Sequence, residues 1–317
     1  MRRRQTAGMA LEGKMDPKTL QFKDYLLKKK ALSENSVSAY LRDLPDFQGF
    51  LAIKGKVDLE SASKSDIAAW LLKLKKDGKS AATVNRKLAS VRAYYKFLLE
   101  TGALTLDPTT GIRSPRITRK DIEYLTIEEV DRLLTAPADT DIGSRDLAIL
   151  EMLYATGLRV TELMFANIDD VNLRMGFVSC SGAHGKARII PLGRPARAVL
   201  EKYIYDVRPH FRRNNGAESQ APGKDDRALF LNYYGERITR QTLWKILKSY
   251  SEKAGIDKKI TPQILRNSFA VHMIQNGADL KSLQELMGHE DPLATQAYLS
   301  VSKNRIKDVY DNAHPRA

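Results

Sequence analysis

The sequence holds a single cysteine, Cys180, among 317 residues. An intramolecular disulfide is therefore excluded and a thiolate zinc site lacks its ligands, which fits a reducing, cytoplasmic setting. No run is apolar enough to suggest a membrane span. Arg2, Arg3 and Arg4 imitate the opening of a signal peptide, but Gln5 to Met15 supply no apolar region behind them. Negative charge is also short: 38 acidic against 52 basic residues leave a net charge of +14. The expectation is a cytoplasmic, basic chain long enough for two domains, each with its own core.

The excess charge is unevenly spread, with +3 over residues 1–15, +6 over 16–112, +3 over 113–122 and +2 over 123–317. A basic first domain joined to a basic strap suits a polyanion, and nucleic acid is the commonest such partner. A lysine-rich solvated surface would give the same count.

Residues 1–15 read as a disordered tail, and residues 16–110 as a helical domain. Leu20, Phe22, Tyr25, Leu26 and Leu27 open an amphipathic stretch. Ser33 caps a second helix through Val37, Tyr40, Leu41 and Leu44. Ser65 and Asp66 open a third, through Ile67, Trp70, Leu71 and Leu74, which stops near Gly78. Thr83 begins a fourth, where Val84, Leu88, Val91, Tyr95 and Leu98 form one apolar stripe ended by Gly102. Arg86, Lys87, Arg92 and Lys96 punctuate that helix and are candidate DNA contacts, given the surrounding charge. Residues 111–122 read as a basic linker. From Glu123 to Ala317 helices dominate, beginning with a capping box on Thr126 and Glu129. Phe177–Ser181 and Ala187–Leu192 read as strands about a Gly-rich turn, and Arg212 to Arg227 as a surface loop.

Three segments of this second region hold candidate chemistry. In Ala155-Thr156-Gly157-Leu158-Arg159, Gly157 ends a helix beginning near Ser144, and Arg159 starts the next. A guanidinium there sits beside free backbone N–H groups, a good place for a phosphate, although pairing with Glu162 explains it equally well. In Thr261-Pro262-Gln263-Ile264-Leu265-Arg266, Thr261 caps, Pro262 takes the first helical position, and Gln263 and Arg266 share a face. In the third, Asp279 caps a short helix that Gly288 ends, His289 follows, and Tyr298 lies nine residues beyond. Each segment alone is compatible with ordinary structural roles.

Together the wordings ATGLR-x-x-EL (from Ala155), TP-x-x-LR-x-SFA-x-H (from Thr261), LQELMGH (ending at His289) and T-x-x-Y (ending at Tyr298) resemble the tyrosine site-specific recombinases and integrases, especially the Xer type. The first domain adds S-x-N-S-V-x-x-Y-x-x-D-L from Ser33 and TVNRKLASVR-x-YY from Thr83. The resemblance implies a mainly α fold of two domains. A helical, SAM-like domain would bind core DNA, and a mixed, mostly helical catalytic domain with a small β-sheet would end in a docking helix at residues 303–313. It implies that Tyr298 attacks the scissile phosphate, that Arg159 and Arg266 clamp its oxygens, that His289 hydrogen-bonds it, and that Glu162 supports Arg159. No metal or nucleotide cofactor is implied. The implied partners are a double-stranded recombination site, three further protomers in a homo- or hetero-tetramer, and a DNA translocase or accessory activator.

Two positions depart from the family wording. Gln263 stands where a histidine general base is usual, and glutamine takes no proton near neutral pH. In Gly182-Ala183-His184-Gly185-Lys186-Ala187-Arg188, aligned on Arg188, Ala183 occupies the position of the lysine that protonates the leaving oxygen. Lys186 matches the family's second lysine, and Lys186 or His184 could substitute if the hairpin shifts. An active recombinase, an attenuated DNA-binding relative and a type IB topoisomerase therefore stay open at this point, as do chromosome dimer resolution and mobile-element integration.

Overall fold

The computed structural model describes residues 16–117, 121–181, 187–213, 227–289 and 291–299, and the chain divides into two compact units between residues 120 and 121. The expected tail, docking helix 303–313, most of the 212–227 loop, and Ala183, His184 and Lys186 lie outside the described residues.

The first unit is built from α1 (Pro17–Asp24), α2 (Glu34–Ile53), α3 (Lys64–Lys76) and α4 (Ala81–Glu100), with a π-helical turn, Tyr25–Lys29, extending α1. Each start has a side-chain cap. Asp16 accepts from the Thr19 N–H at 3.0 Å, and Ser33 from the Ser36 N–H at 3.3 Å. The next two caps lie upstream of the expected positions. Ser63 and Asp66 make a reciprocal capping box, and Ser80 accepts from the Thr83 N–H at 3.2 Å. The expected stripe of α4 is buried at Val84, Leu88, Val91, Tyr95 and Leu98, against Phe22, Phe47 and Trp70.

One expectation for α4 is corrected. Lys87 is only 6% exposed, and its ammonium is paired with Asp43 at 3.3 Å and with Asp46. It serves the interior of the unit rather than a DNA-facing surface, because a buried cation requires partners. Asp43, also buried, takes Arg86 and the Ser90 hydroxyl as well. Arg92 donates to the Ile112 carbonyl and, at 3.0 Å, to Ser114 Oγ, fixing the start of the expected linker to α4. Lys96 is exposed.

The second unit runs α5 (Ile127–Thr135), α6 (Asp141–Thr156), α7 (Val160–Phe165), β1 (Val171–Asn172), β2 (Phe177–Ser181), β3 (Ala187–Pro191), α8 (Arg194–Lys202), α9 (Arg208–Arg213), α10 (Arg240–Lys253), α11 (Pro262–Gln275), α12 (Leu280–Met287) and α13 (Pro292–Gln296). It is mainly helical with a three-stranded antiparallel sheet in the order β1-β2-β3. Helix α6 is the spine: Ala148, Ile149, Leu150, Met152 and Leu153 are buried, and α8 and α11 pack on it. It begins after Thr140, which caps the Gly143 N–H at 3.1 Å, three residues before the expected Ser144.

The β2–β3 register decides which side chains face inward. Val178 opposes Ile190 and Cys180 opposes Arg188, so these four share one face, while Ile189 on the other is 62% exposed. Arg188 therefore points into the unit from within an otherwise apolar row.

Candidate active site

Two helix ends make the site. Helix α6 stops at Gly157 (φ 58°) and α12 at Gly288 (φ 62°), both left-handed turns. Such turns leave terminal carbonyls without intrahelical partners and concentrate partial negative charge. Arginines fill these positions. Arg266, 4% exposed, donates to the Gly157 carbonyl and to the Met287 carbonyl at 2.6 Å. Arg159, the residue before α7, donates to the Gly288 carbonyl at 2.6 Å. Neither glycine tolerates a side chain: a Cβ at Gly157 would lie 2.4 Å from Phe269 Cδ1, and one at Gly288 would lie 2.9 Å from Arg188 Nη1.

Glu162 joins two of the three arginines. Its carboxylate takes the Arg159 backbone N–H at 2.8 Å and Arg159 Nη1 at 2.9 Å. It also accepts a fork of two bonds from Arg188, at 2.8 and 2.9 Å, while Arg188 Nε reaches the Leu286 carbonyl at 2.7 Å. Burial alone would raise the Glu162 carboxyl, but the Arg188 bonds, the Arg159 N–H and both charges hold it below its ordinary range. The Arg159–Glu162 pairing expected as the plain reading thus exists, and the same carboxylate orients Arg159 beside Arg266.

His289 completes the group as a neutral base. Its Nε2 lies 3.0 Å from Arg266 Nη2, and a guanidinium only donates, so Nε2 is the acceptor. The proton therefore sits on Nδ1, which donates to Thr295 Oγ1 at 2.9 Å. Burial, then the Arg266, Arg159 and Arg188 charges, pull the imidazole down to about 4. Burial and Arg159 likewise lower Arg266 to about 10, so it remains charged at neutral pH. Three cations, one carboxylate and a neutral imidazole leave an excess of positive charge able to bind an oxyanion.

Tyr298 is buried in a small cluster with Phe269, Ala270, Leu283 and Met287. Its phenol donates to Asn267 Oδ1 at 3.0 Å; burial raises its pKa and the Arg266 charge opposes that rise. Gln263 is exposed, and its amide donates to Asn267 Oδ1 at 2.9 Å. Arg159, Glu162, Arg266, His289 and Tyr298 are thus gathered, whereas Gln263 touches Tyr298 only through Asn267. Arg86, Lys87, Arg92 and Lys96 belong to the other unit.

Arg188, Asn267 and Thr295 were missed as site residues. In the sequence Arg188 only fixes the alignment of the hairpin, although an arginine alternating with Ile190 on a half-buried strand demands a buried acid. Asn267 and Thr295 lay inside quoted motifs without a role.

Residues 123–305 match the Phage integrase family, and residues 20–102 match the Phage integrase N-terminal SAM-like domain. The chain is 43% identical over 298 residues to a tyrosine recombinase XerD of Listeria monocytogenes serotype 4b, covering 93% of this chain and 98% of the relative. It is 43% identical over 297 residues to the XerD of Oceanobacillus iheyensis, covering 93% and 97%. Among solved structures, XerA recombinase superposes with a TM-score of 0.51 at 25% identity, over 95% of this chain and all of that one (100%). XerH site-specific recombinase bound to a palindromic difH substrate superposes with a TM-score of 0.69 at 19% identity, over 92% and 83%. The chain belongs to the tyrosine recombinase family and is XerD-like along nearly its whole length.

Proposed function

We propose that this chain is a site-specific DNA recombinase that cuts and rejoins duplex DNA through a 3′-phosphotyrosyl bond on Tyr298, in chromosome dimer resolution. One observation carries this reading: in an XerD-like chain, Arg159, Arg266 and a neutral His289 converge beside a buried tyrosine. The phenolic oxygen attacks phosphorus, the bond to the 5′-oxygen breaks, and that oxygen leaves as a hydroxyl once protonated. The reverse step, with a hydroxyl from the partner strand, restores a phosphodiester and releases Tyr298. Arg159 and Arg266 neutralise the charge that builds on the non-bridging oxygens, and Glu162 keeps Arg159 turned toward them. With its proton on Nδ1, His289 accepts rather than donates. Hydrogen bonding from Nε2 to a phosphate oxygen therefore requires the proton to change nitrogen or a second proton to bind.

Residues 16–110 supply core DNA binding, residues 111–122 the linker, and residues 303–313 dock on a neighbouring protomer in a four-protomer synapse. A second reading, an attenuated member of the family, is favoured by Gln263, which cannot act as a base, and by Ala183 at the acid position. Nicked suicide duplexes carrying candidate sites, resolved on denaturing gels, test both. The recombinase reading expects a covalent adduct that Tyr298→Phe abolishes while site binding persists. Binding without an adduct from the unaltered protein would leave only the attenuated reading, and an undiminished adduct from Tyr298→Phe would remove Tyr298 as nucleophile.

A further inference from the structure

Asn267 has one way to satisfy both ends of its amide. Its Nδ2 lies 2.9 Å from the Glu123 carbonyl oxygen, which only accepts, so the nitrogen must face that way. Oδ1 is thereby turned toward Tyr298 and Gln263, and accepts from both at 3.0 and 2.9 Å. Two anchors, one on backbone far away in sequence and one a turn earlier on α11, thus hold a single acceptor against the phenol. Because that acceptor cannot donate, the phenolic hydrogen is committed to it and the rotation about the C–O bond is set. Asn267 also follows Arg266 directly on α11, so the same helix carries a guanidinium of the oxyanion site and the group that orients the tyrosine.

Resting on the recombinase reading, we propose that Asn267 is a positioning residue for Tyr298, fixing the direction of the phenolic O–H and hence of the oxygen lone pairs that meet phosphorus. Gln263 is its second anchor, acting on Asn267 and not on the phosphate.

Two variants test this in the full chain. Asn267→Leu has similar size and no acceptor; Asn267→Asp keeps an acceptor for the phenol but gives up the bond to the Glu123 carbonyl. In protein labelled at tyrosine ¹³Cζ, with the Tyr298 resonance assigned from Tyr298→Phe, Asn267→Leu should shift that resonance and Asn267→Asp should leave it in its hydrogen-bonded range. On the nicked duplex that gives an adduct with the unaltered protein, Asn267→Leu should slow adduct formation by about 10²-fold, the scale of a misplaced reactive group. Its DNA affinity should stay within about twofold, since Asn267 makes no charged contact to replace. Asn267→Asp should recover part of that rate. An adduct from the unaltered protein together with an unslowed Asn267→Leu overturns the proposal and spares the recombinase reading. Equal losses in the two variants, or an unmoved resonance in Asn267→Leu, reduce Asn267 to a structural residue and also overturn it. No adduct from the unaltered protein overturns the recombinase reading, and the proposal with it.

Discussion

The first unit has the larger charge excess, +6 over residues 16–112 against +2 over 123–317, yet the second concentrates its positive charge more effectively. In the first, the buried Lys87 and its neighbour Arg86 converge on Asp43, with Asp46 close by, so cations and anions cancel locally. In the second, Arg159 and Arg188 share the Glu162 carboxylate, Arg266 has no bond to it, and carbonyls give all three their further support. A carbonyl holds a guanidinium without neutralising it. Net charge thus reports long-range attraction of a polyanion, whereas chemistry depends on where charge is left uncancelled.

The largest test of this contrast adds one charge to the second unit. If Ala183 occupies the position of the general acid, Ala183→Lys should accelerate strand cleavage by about 10²–10⁴-fold with little change in DNA affinity. A substrate with a 5′-bridging sulfur, whose leaving group needs no acid, should erase most of that gain. If Lys186 serves instead, Lys186→Ala is the damaging change and the sulfur substrate rescues it.

Next come the two shared carboxylates. Asp43→Ala and Glu162→Ala each strand buried cations, and each should destabilise its own unit by roughly 3–5 kcal/mol in urea unfolding. The two should then separate. Under conditions where both variants are folded, Glu162→Ala should also lose strand cleavage, and Asp43→Ala should retain it in proportion to folded protein. Equal cleavage in both would remove Glu162 as the orienting group for Arg159.

A smaller effect concerns pH. His289 sits below its ordinary 6.5, at about 4, so the unfolded chain binds a proton there that the folded chain refuses. Its contribution is complete above 6.5 and is lost as pH falls toward 4. Melting temperature measured across that window should decline less steeply in His289→Gln than in the unaltered protein; parallel slopes would show that His289 is not held neutral. Smallest of all, Lys96→Ala in the first unit should weaken DNA binding modestly and reduce the salt slope by about 1 if it contacts a phosphate. An unchanged slope would put the DNA elsewhere.

The helices were legible because their apolar stripes were. Val84, Leu88, Val91, Tyr95 and Leu98 are buried as their spacing predicts. Helix starts are less so: the sequence points to Ser65, Thr83 and Ser144, whereas Ser63, Ser80 and Thr140 cap. First turns are rich in polar residues, and only the extended backbone of the cap singles one out. Strand β1 was missed because two residues carry no readable alternation. Lys87 is buried where a surface contact is expected, and spacing holds the clue: it lies three after Val84 and four before Val91, on the buried stripe, where an ammonium needs acids from another helix. Motif wording reached Arg159, Glu162, Arg266, His289 and Tyr298. It did not reach the roles of Arg188 and Asn267, whose partners Leu286 and Glu123 are 98 and 144 residues away in sequence.

The carbonyls that hold the three arginines have a consequence for mutational tolerance. Gly157, Leu286, Met287 and Gly288 contribute backbone oxygens, and a backbone oxygen survives any side-chain substitution that preserves the local path. Positions 286 and 287 can therefore drift among residues that suit the interior without loosening the guanidiniums. The constraint falls instead on Gly157 and Gly288, where a left-handed backbone and the absence of a Cβ are both required. Random mutagenesis should find the arginine cradle forgiving along the end of α12 and brittle at these two glycines.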